Sequence, residues 1–175
     1  IVMAEYLGYE FIDAAEVIVF DEDGEFDAEK TDRILSERLS KCERAVVPGF
    51  YGAKEDGTVK TFSRGGSDIT GSIVAKAAHA DMYENWTDVS GFLVADPRII
   101  ENPESIKVIT YRELRERSYM GATVLHEDAV FPVRKEGIPI NIRNTNAPED
   151  EGTLIVESTC RQSAYTITGI AGKKG

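Results

Sequence analysis

The sequence predicts an α/β fold, a three-layer α/β/α sandwich around a mainly parallel sheet. Short apolar runs alternate with stretches of helical periodicity along the whole chain, which favours helices packed on a sheet over an all-helical or all-β domain. The run Ala45 to Val47 is brief, apolar and cut off by Pro48 and Gly49, as a buried strand is where its carboxyl end opens into a loop. With 175 residues the chain is long enough to bury a substantial core.

Taken in order, Val2, Tyr6 and Leu7 stand at near-helical spacing with no cap ahead of them, so the start reads as the last turns of a helix and the chain as a segment of a longer protein. Strands are expected at Phe11 to Ile12 and Glu16 to Phe20, followed by the acidic turn "DEDGE". Ile34, Leu35 and Leu39 mark a helix over Asp27 to Ser40. "KEDGTVKTFSRGG" reads as a hairpin with an extended arm. Ile69, Ile73, Val74 and Ala77 then form one face of a helix from Asp68 to His79, with Ser67 or Asp68 as its N-cap. "MYENWTD" is the next strand, and "VSGFLVADPRIIENPES" is a loop long enough to suggest a task. Thr110 and Glu113 have the spacing of a capping box. "GATVLHEDAVFPVRKEG" predicts a helix bent near Pro132, and "IPINIRN" and "GTLIVES" predict closing strands. Beyond Glu157 a polar link leads towards a new strand, which sets a domain boundary near residue 158.

Composition narrows the function. A net charge of −11 repels nucleic-acid backbones and anionic membranes, so neither is expected as a partner. No apolar run approaches the roughly 20 residues that span a bilayer, and no basic-start signal peptide is visible. Cys42 and Cys160 are too few for a disulfide framework or a zinc site, which fits the reducing cytoplasm. His79 and His126 lack partners at metal-ligand spacing, so no residue is assigned to a metal.

The stretch "FSRGGSDITGS", residues 62 to 72, carries the chemistry. A helix start offers unpaired N–H groups and a partial positive charge, and glycines ahead of it let an anion approach the backbone. Arg64 has the planar fork that grips a carboxylate through two hydrogen bonds, and Ser67 can donate one more. Asp68, acceptor-only when ionised, can hold an ammonium group or a metal ion. The same residues are also ordinary turn vocabulary, with a cap and a solvated arginine. A P-loop and a GxGxxG turn are both absent. For a nucleotide there remains "WTDVSGFLVADPR", in which Thr87 and Asp88 end a strand where α/β sheets place ligands and Arg98 can meet a phosphate.

Five blocks in series, "VVPGFYG" at 46 to 52, "FSRGGSD" at 62 to 68, "WTDVSGFLVADPR" at 86 to 98, "YMGATVLHEDAVFPV" at 119 to 133 and "IPINIRNT" at 138 to 145, resemble the aspartokinases of the amino-acid kinase superfamily. The resemblance runs from about Tyr6 to Val156. It implies transfer of the γ-phosphoryl group of ATP, with Mg2+, to the side-chain carboxylate of L-aspartate in a cytoplasmic homo-oligomer. On this likeness Arg64 grips a substrate carboxylate, Gly65, Ser67 and Phe50 line the aspartate pocket, and Asp68 organises the catalytic groups. Thr87, Asp88, Leu93, Asp96, Arg98, Thr123 and Val124 surround ATP. Many relatives carry a tyrosine where Leu93 stands and a lysine where Thr123 stands. Their "KFGG" lysine and upstream glutamate have no counterpart in this chain, so the segment is expected to be inactive alone. Residues 1–157 correspond to the nucleotide-side part of the catalytic domain, and 158–175 to a linker and the first strand of an ACT regulatory domain. A kinase for another small acid and a non-catalytic nucleotide-binding or regulatory module are the alternatives.

Overall fold

The computed structural model describes residues 1–97, 99–119 and 127–159. The chain forms two compact units, one of residues 1–80 with 128–132, the other of residues 81–127 with 133–175.

The first unit runs α1 (Val2–Leu7), β1 (Glu10–Phe11), α2 (Ala14–Val17), β2 (Val19–Phe20), α3 (Ala28–Leu39), β3 (Ala45–Val46), β4 (Tyr51–Lys54), β5 (Val59–Thr61) and α4 (Gly66–Ala77). β1 pairs parallel with β3, β2 parallel with β4, and β4 and β5 form the expected hairpin. The expected strand over Glu16 to Phe20 is only partly one. The Asp13 carboxylate accepts the Ala15 N–H at 2.9 Å and caps the short helix α2, so the chain becomes a strand only at Val19. α3 begins as expected, with the Asp27 carboxylate accepting the Lys30 N–H at 2.9 Å. It packs against α4, and the Ser36 hydroxyl donates to the Ala77 carbonyl at 2.9 Å. Ile12, Ile18, Leu35, Ile69 and Ile73 are buried in this unit.

The cap of α4 differs from the expectation. Neither Ser67 nor Asp68 stands there; the helix begins at Gly66, and Gly65, with φ of 57°, is a left-handed cap without a side-chain bond. A glycine reaches that conformation at no steric cost, so the chain enters the helix two residues early and carries Ser67 and Asp68 into the first turn.

The second unit contains β6 (Tyr83–Thr87), β7 (Val108–Thr110), α5 (Tyr111–Tyr119), β8 (Ile140–Asn144) and β9 (Thr153–Val156), while α6 (Glu127–Lys135) gives residues to both units. The sheet order is β6-β8-β9-β7, with β6 and β8 parallel, β7 and β9 parallel, and β8 and β9 antiparallel. Ile109, Ile140, Ile142 and Ile155 are completely buried on one face. The capping box is present: Glu113 accepts the Thr110 N–H at 2.8 Å and donates its own N–H to the Thr110 hydroxyl at 3.2 Å. Four of the six ladders are parallel, and among the described residues they fall into three sheets. β7 had no counterpart in the expectations. Residues 121–126 of the helix expected around Pro132, and the strand expected after residue 163, lie outside the described residues. No described helix is long and apolar enough to cross a membrane.

Candidate functional site

In the first unit, the Pro48-Gly49-Phe50 loop and the start of α4 touch backbone to backbone. A Cβ on Gly66 would stand 2.8 Å from the Phe50 Cα, and one on Gly49 would stand 3.1 Å from the Ser67 Cα. The contact therefore requires glycine at 66 and is tight for any side chain at 49. Arg64 and Ser67 are exposed, Gly65 and Asp68 half-buried. The Ile69 N–H donates to the Gly65 carbonyl at 2.9 Å, so residues 66 to 68 form the first turn of the helix. Glycine turn, helix start, forked cation and hydroxyl thus occupy one stretch of surface, an arrangement suited to a small carboxylate.

Phe50 completes that stretch in a strained conformation. Its φ is 70°, a region that bulky residues rarely enter, and the residue is 56% exposed. Its ring lies edge-on to Tyr51, centroids 5.5 Å apart. The Tyr51 hydroxyl donates to the Asp13 carboxylate at 2.8 Å. Burial, reinforced by that bond, raises the phenol above its ordinary value, so Tyr51 remains a protonated donor.

Sequence reasoning missed Thr70. Its hydroxyl accepts the Phe50 N–H at 3.1 Å and donates to the Gly66 carbonyl at 2.8 Å. The residue is 3% exposed and lies on the buried side of α4.

In the second unit, β6 ends at Thr87, whose hydroxyl donates to the exposed Asp88 carboxylate at 3.2 Å. The Thr87 carbonyl accepts both the N–H and the hydroxyl of Thr145, at 2.8 and 2.9 Å. What the sequence presents as a long loop is an arm with paired limbs. The Ile106 N–H donates to the Phe92 carbonyl at 2.7 Å, Leu93 bridges Ser105, and the Val94 N–H donates to the Glu104 carbonyl at 2.9 Å. At its tip the Asp96 carbonyl accepts from Ile99 and Ile100 at 2.9 and 3.0 Å. Thr153, also missed, holds the base of the arm. Its hydroxyl accepts the Phe92 N–H at 2.8 Å and donates to the Ile106 carbonyl at 2.6 Å. Gly91, at φ 96°, is required beside it, because a Cβ there would stand 2.3 Å from the Thr153 hydroxyl.

Four of the residues expected around a nucleotide, Thr87, Asp88, Leu93 and Asp96, therefore lie on one strand end and the arm that follows it. Arg98, Thr123 and Val124 lie outside the described residues. Among the described residues no group of three or more His, Cys, Asp or Glu side chains stands together to cage a metal ion.

Comparison with known proteins gives the chain's relatives. The chain is 48% identical over 130 residues to aspartokinase 3 of Bacillus subtilis, covering 74% of this chain and 28% of that protein. The crystal structure of aspartate kinase from Clostridium acetobutylicum superposes with a TM-score of 0.92 and 62% identity, over 98% of this chain and 40% of that one. E. coli aspartokinase III in complex with aspartate and ADP superposes with a TM-score of 0.76 and 29% identity, over 86% of this chain and 35% of that one. The chain thus spans less than half the length of each of these relatives. The model of the amino acid kinase family matches residues 2–144, a span that takes in the glycine turn and the arm together, and the chain belongs to that family.

Proposed function

We propose that the complete protein carrying this chain is an aspartate kinase, which moves the γ-phosphoryl group of ATP to the side-chain carboxylate of L-aspartate and yields 4-phospho-L-aspartate, the entry to lysine, threonine and methionine synthesis. The observation that carries the proposal is the Arg64–Asp68 turn, seated on the open end of α4 against the Phe50 loop. Likeness to a kinase crystallised with aspartate and ADP supports it.

Arg64 forks onto a carboxylate of the acid, while Gly65, Ser67 and Phe50 line its pocket. Asp68 organises the charged groups around the reacting oxygen. Thr87, Asp88, Leu93, Asp96 and Arg98, with Thr123 and Val124, hold the nucleotide. Such a division suits phosphoryl transfer, which needs positioning and charge neutralisation and no covalent nucleophile on the enzyme. Mg2+, when bound with ATP, would supply charge neutralisation at the phosphates. Residues 1–157 belong to the catalytic domain and 158–175 lead into an ACT regulatory domain. The protein acts as a homo-oligomer in the cytoplasm.

Steady-state kinetics of two variants of the complete enzyme test this reading. Arg64→Lys keeps the charge and loses the fork; one charged bond is worth about 1.5–3 kcal/mol, so the KM for aspartate should rise roughly ten- to a hundredfold. Asp68→Asn keeps the size and loses the charge, so kcat should fall more than substrate affinity. Near-normal values for both variants would reduce the turn to a helix cap.

A further inference from the structure

We propose that Thr70 is a positioning residue for the acid substrate: its hydroxyl holds Phe50 in a strained backbone conformation that shapes the pocket floor beside Arg64 and Ser67. The inference rests on the aspartate kinase reading for the identity of the acid.

Three observations converge on it. Phe50 has φ of 70°, where a residue with a Cβ pays a steric penalty that its surroundings must offset. Both backbone groups of Phe50 are tied down: its N–H donates to Thr70 at 3.1 Å, and its carbonyl accepts the Phe62 N–H at 3.0 Å. Packing alone does not set this conformation, because Phe50 is an exposed residue. A threonine in a helix commonly donates to the carbonyl four residues back, as Thr70 does to Gly66. Here that bond aims the hydroxyl's lone pairs at the Phe50 N–H, which lies twenty positions earlier in the chain. One hydroxyl therefore links the first turn of α4 to the loop that faces it, and the methyl group of threonine restricts the rotamer that makes both bonds. Exposed strain maintained by a buried tether is the pattern of a preorganised ligand contact.

The test uses the complete enzyme and the variants Thr70→Val and Thr70→Ser. Valine keeps the shape and removes the acceptor, so the KM for aspartate should rise about tenfold, the change expected for one lost hydrogen bond, while the KM for ATP stays within about twofold. Serine keeps the hydroxyl and should restore the aspartate KM. A Thr70→Val enzyme with unchanged aspartate KM, or with both KM values raised alike, overturns the proposal. Thermal unfolding supplies a readout that does not need the substrate assignment. Glycine adopts φ of 70° unaided, so Thr70→Val should lower Tm less in a Phe50→Gly background than in the wild type. Additive shifts would overturn the tether. Absence of aspartate phosphorylation by the wild type would instead defeat the functional reading, and the coupling measurement would still judge the tether.

Discussion

Replacing Thr153 with valine should loosen the arm of the second unit more than any exposed substitution on it. Threonine and valine have nearly the same shape, so the change removes one hydroxyl and leaves no cavity. Two backbone groups lose their partner: the Phe92 N–H, bonded at 2.8 Å, and the Ile106 carbonyl, bonded at 2.6 Å. Thr153 is 0% exposed, so water cannot readily replace the hydroxyl. A buried group left without a partner costs about 1–3 kcal/mol, which gives roughly 2–6 kcal/mol for the pair, a large part of the 5–15 kcal/mol that stabilises a typical domain. Thermal unfolding should show a clear fall in Tm. Amide exchange followed by mass spectrometry should show protection lost first across residues 92–106, where both limbs depend on this hydroxyl. Thr153→Ser keeps both bonds and deletes one methyl group, worth about 1 kcal/mol, so it should recover most of the loss. A Thr153→Val protein melting within about 2 °C of the wild type, with exchange over 92–106 unchanged, would refute the reasoning.

Two further outcomes follow from the packing. Gly66→Ala should displace the Phe50 loop, because its Cβ would stand 2.8 Å from the Phe50 Cα and neither backbone can yield cheaply; the aspartate KM of the complete enzyme should rise, and an unchanged value would show that the loop does not serve the acid. Tyr111 should make the fold sensitive to alkali. Burial, with the Glu157 charge adding to it, raises its phenol to about 12, and its hydroxyl donates to the Ile138 carbonyl at 2.5 Å. The folded state thus keeps a proton that the unfolded chain releases near 10, so this contribution is intact below pH 10 and declines as pH climbs towards 12. Tm measured from pH 9 to 12 should fall less steeply in Tyr111→Phe, and equal slopes would remove Tyr111 as the cause.

Local signals in the sequence located most elements. The spacing of Ile34, Leu35 and Leu39 placed α3 within a residue of its ends, and the Thr110–Glu113 pair marked the start of α5. Where local patterns competed, the reading failed. "EVIVF" has the composition of a strand, yet the Asp13 carboxylate engages Ala15 and gives its first half to a helical turn. β7 has only three residues, set in a polar loop, and pairs with a strand more than forty positions later. The candidate site divides in the same way. Arg64, Gly65, Ser67 and Asp68 announce themselves by residue type, and Thr87 and Asp88 by their place at a strand end. Thr70 and Thr153 do not, because a lone threonine in an apolar pattern gives no sign of a backbone partner 20 or 61 positions away.

Those two threonines show how the fold places its loops. Each stands on a regular element, α4 or β9, and in each the hydroxyl accepts from one backbone segment while donating to a second. A hydroxyl is the smallest side-chain group able to do both, and a β-branched residue holds it in few rotamers. Each tether also has a glycine at close quarters, Gly66 beside Phe50 and Gly91 beside Thr153, so the segments meet at distances that a side chain would forbid. The loops that carry the candidate binding residues are thereby positioned from the scaffold as well as by their own glycines and hydrogen bonds. For the proposed phosphoryl transfer, which would depend on the placing of two substrates and where a shift of about 1 Å can cost a hundredfold in rate, such tethers would keep the geometry. It follows that substitutions at Thr70 and Thr153, which need touch neither substrate, should alter function as strongly as many that do.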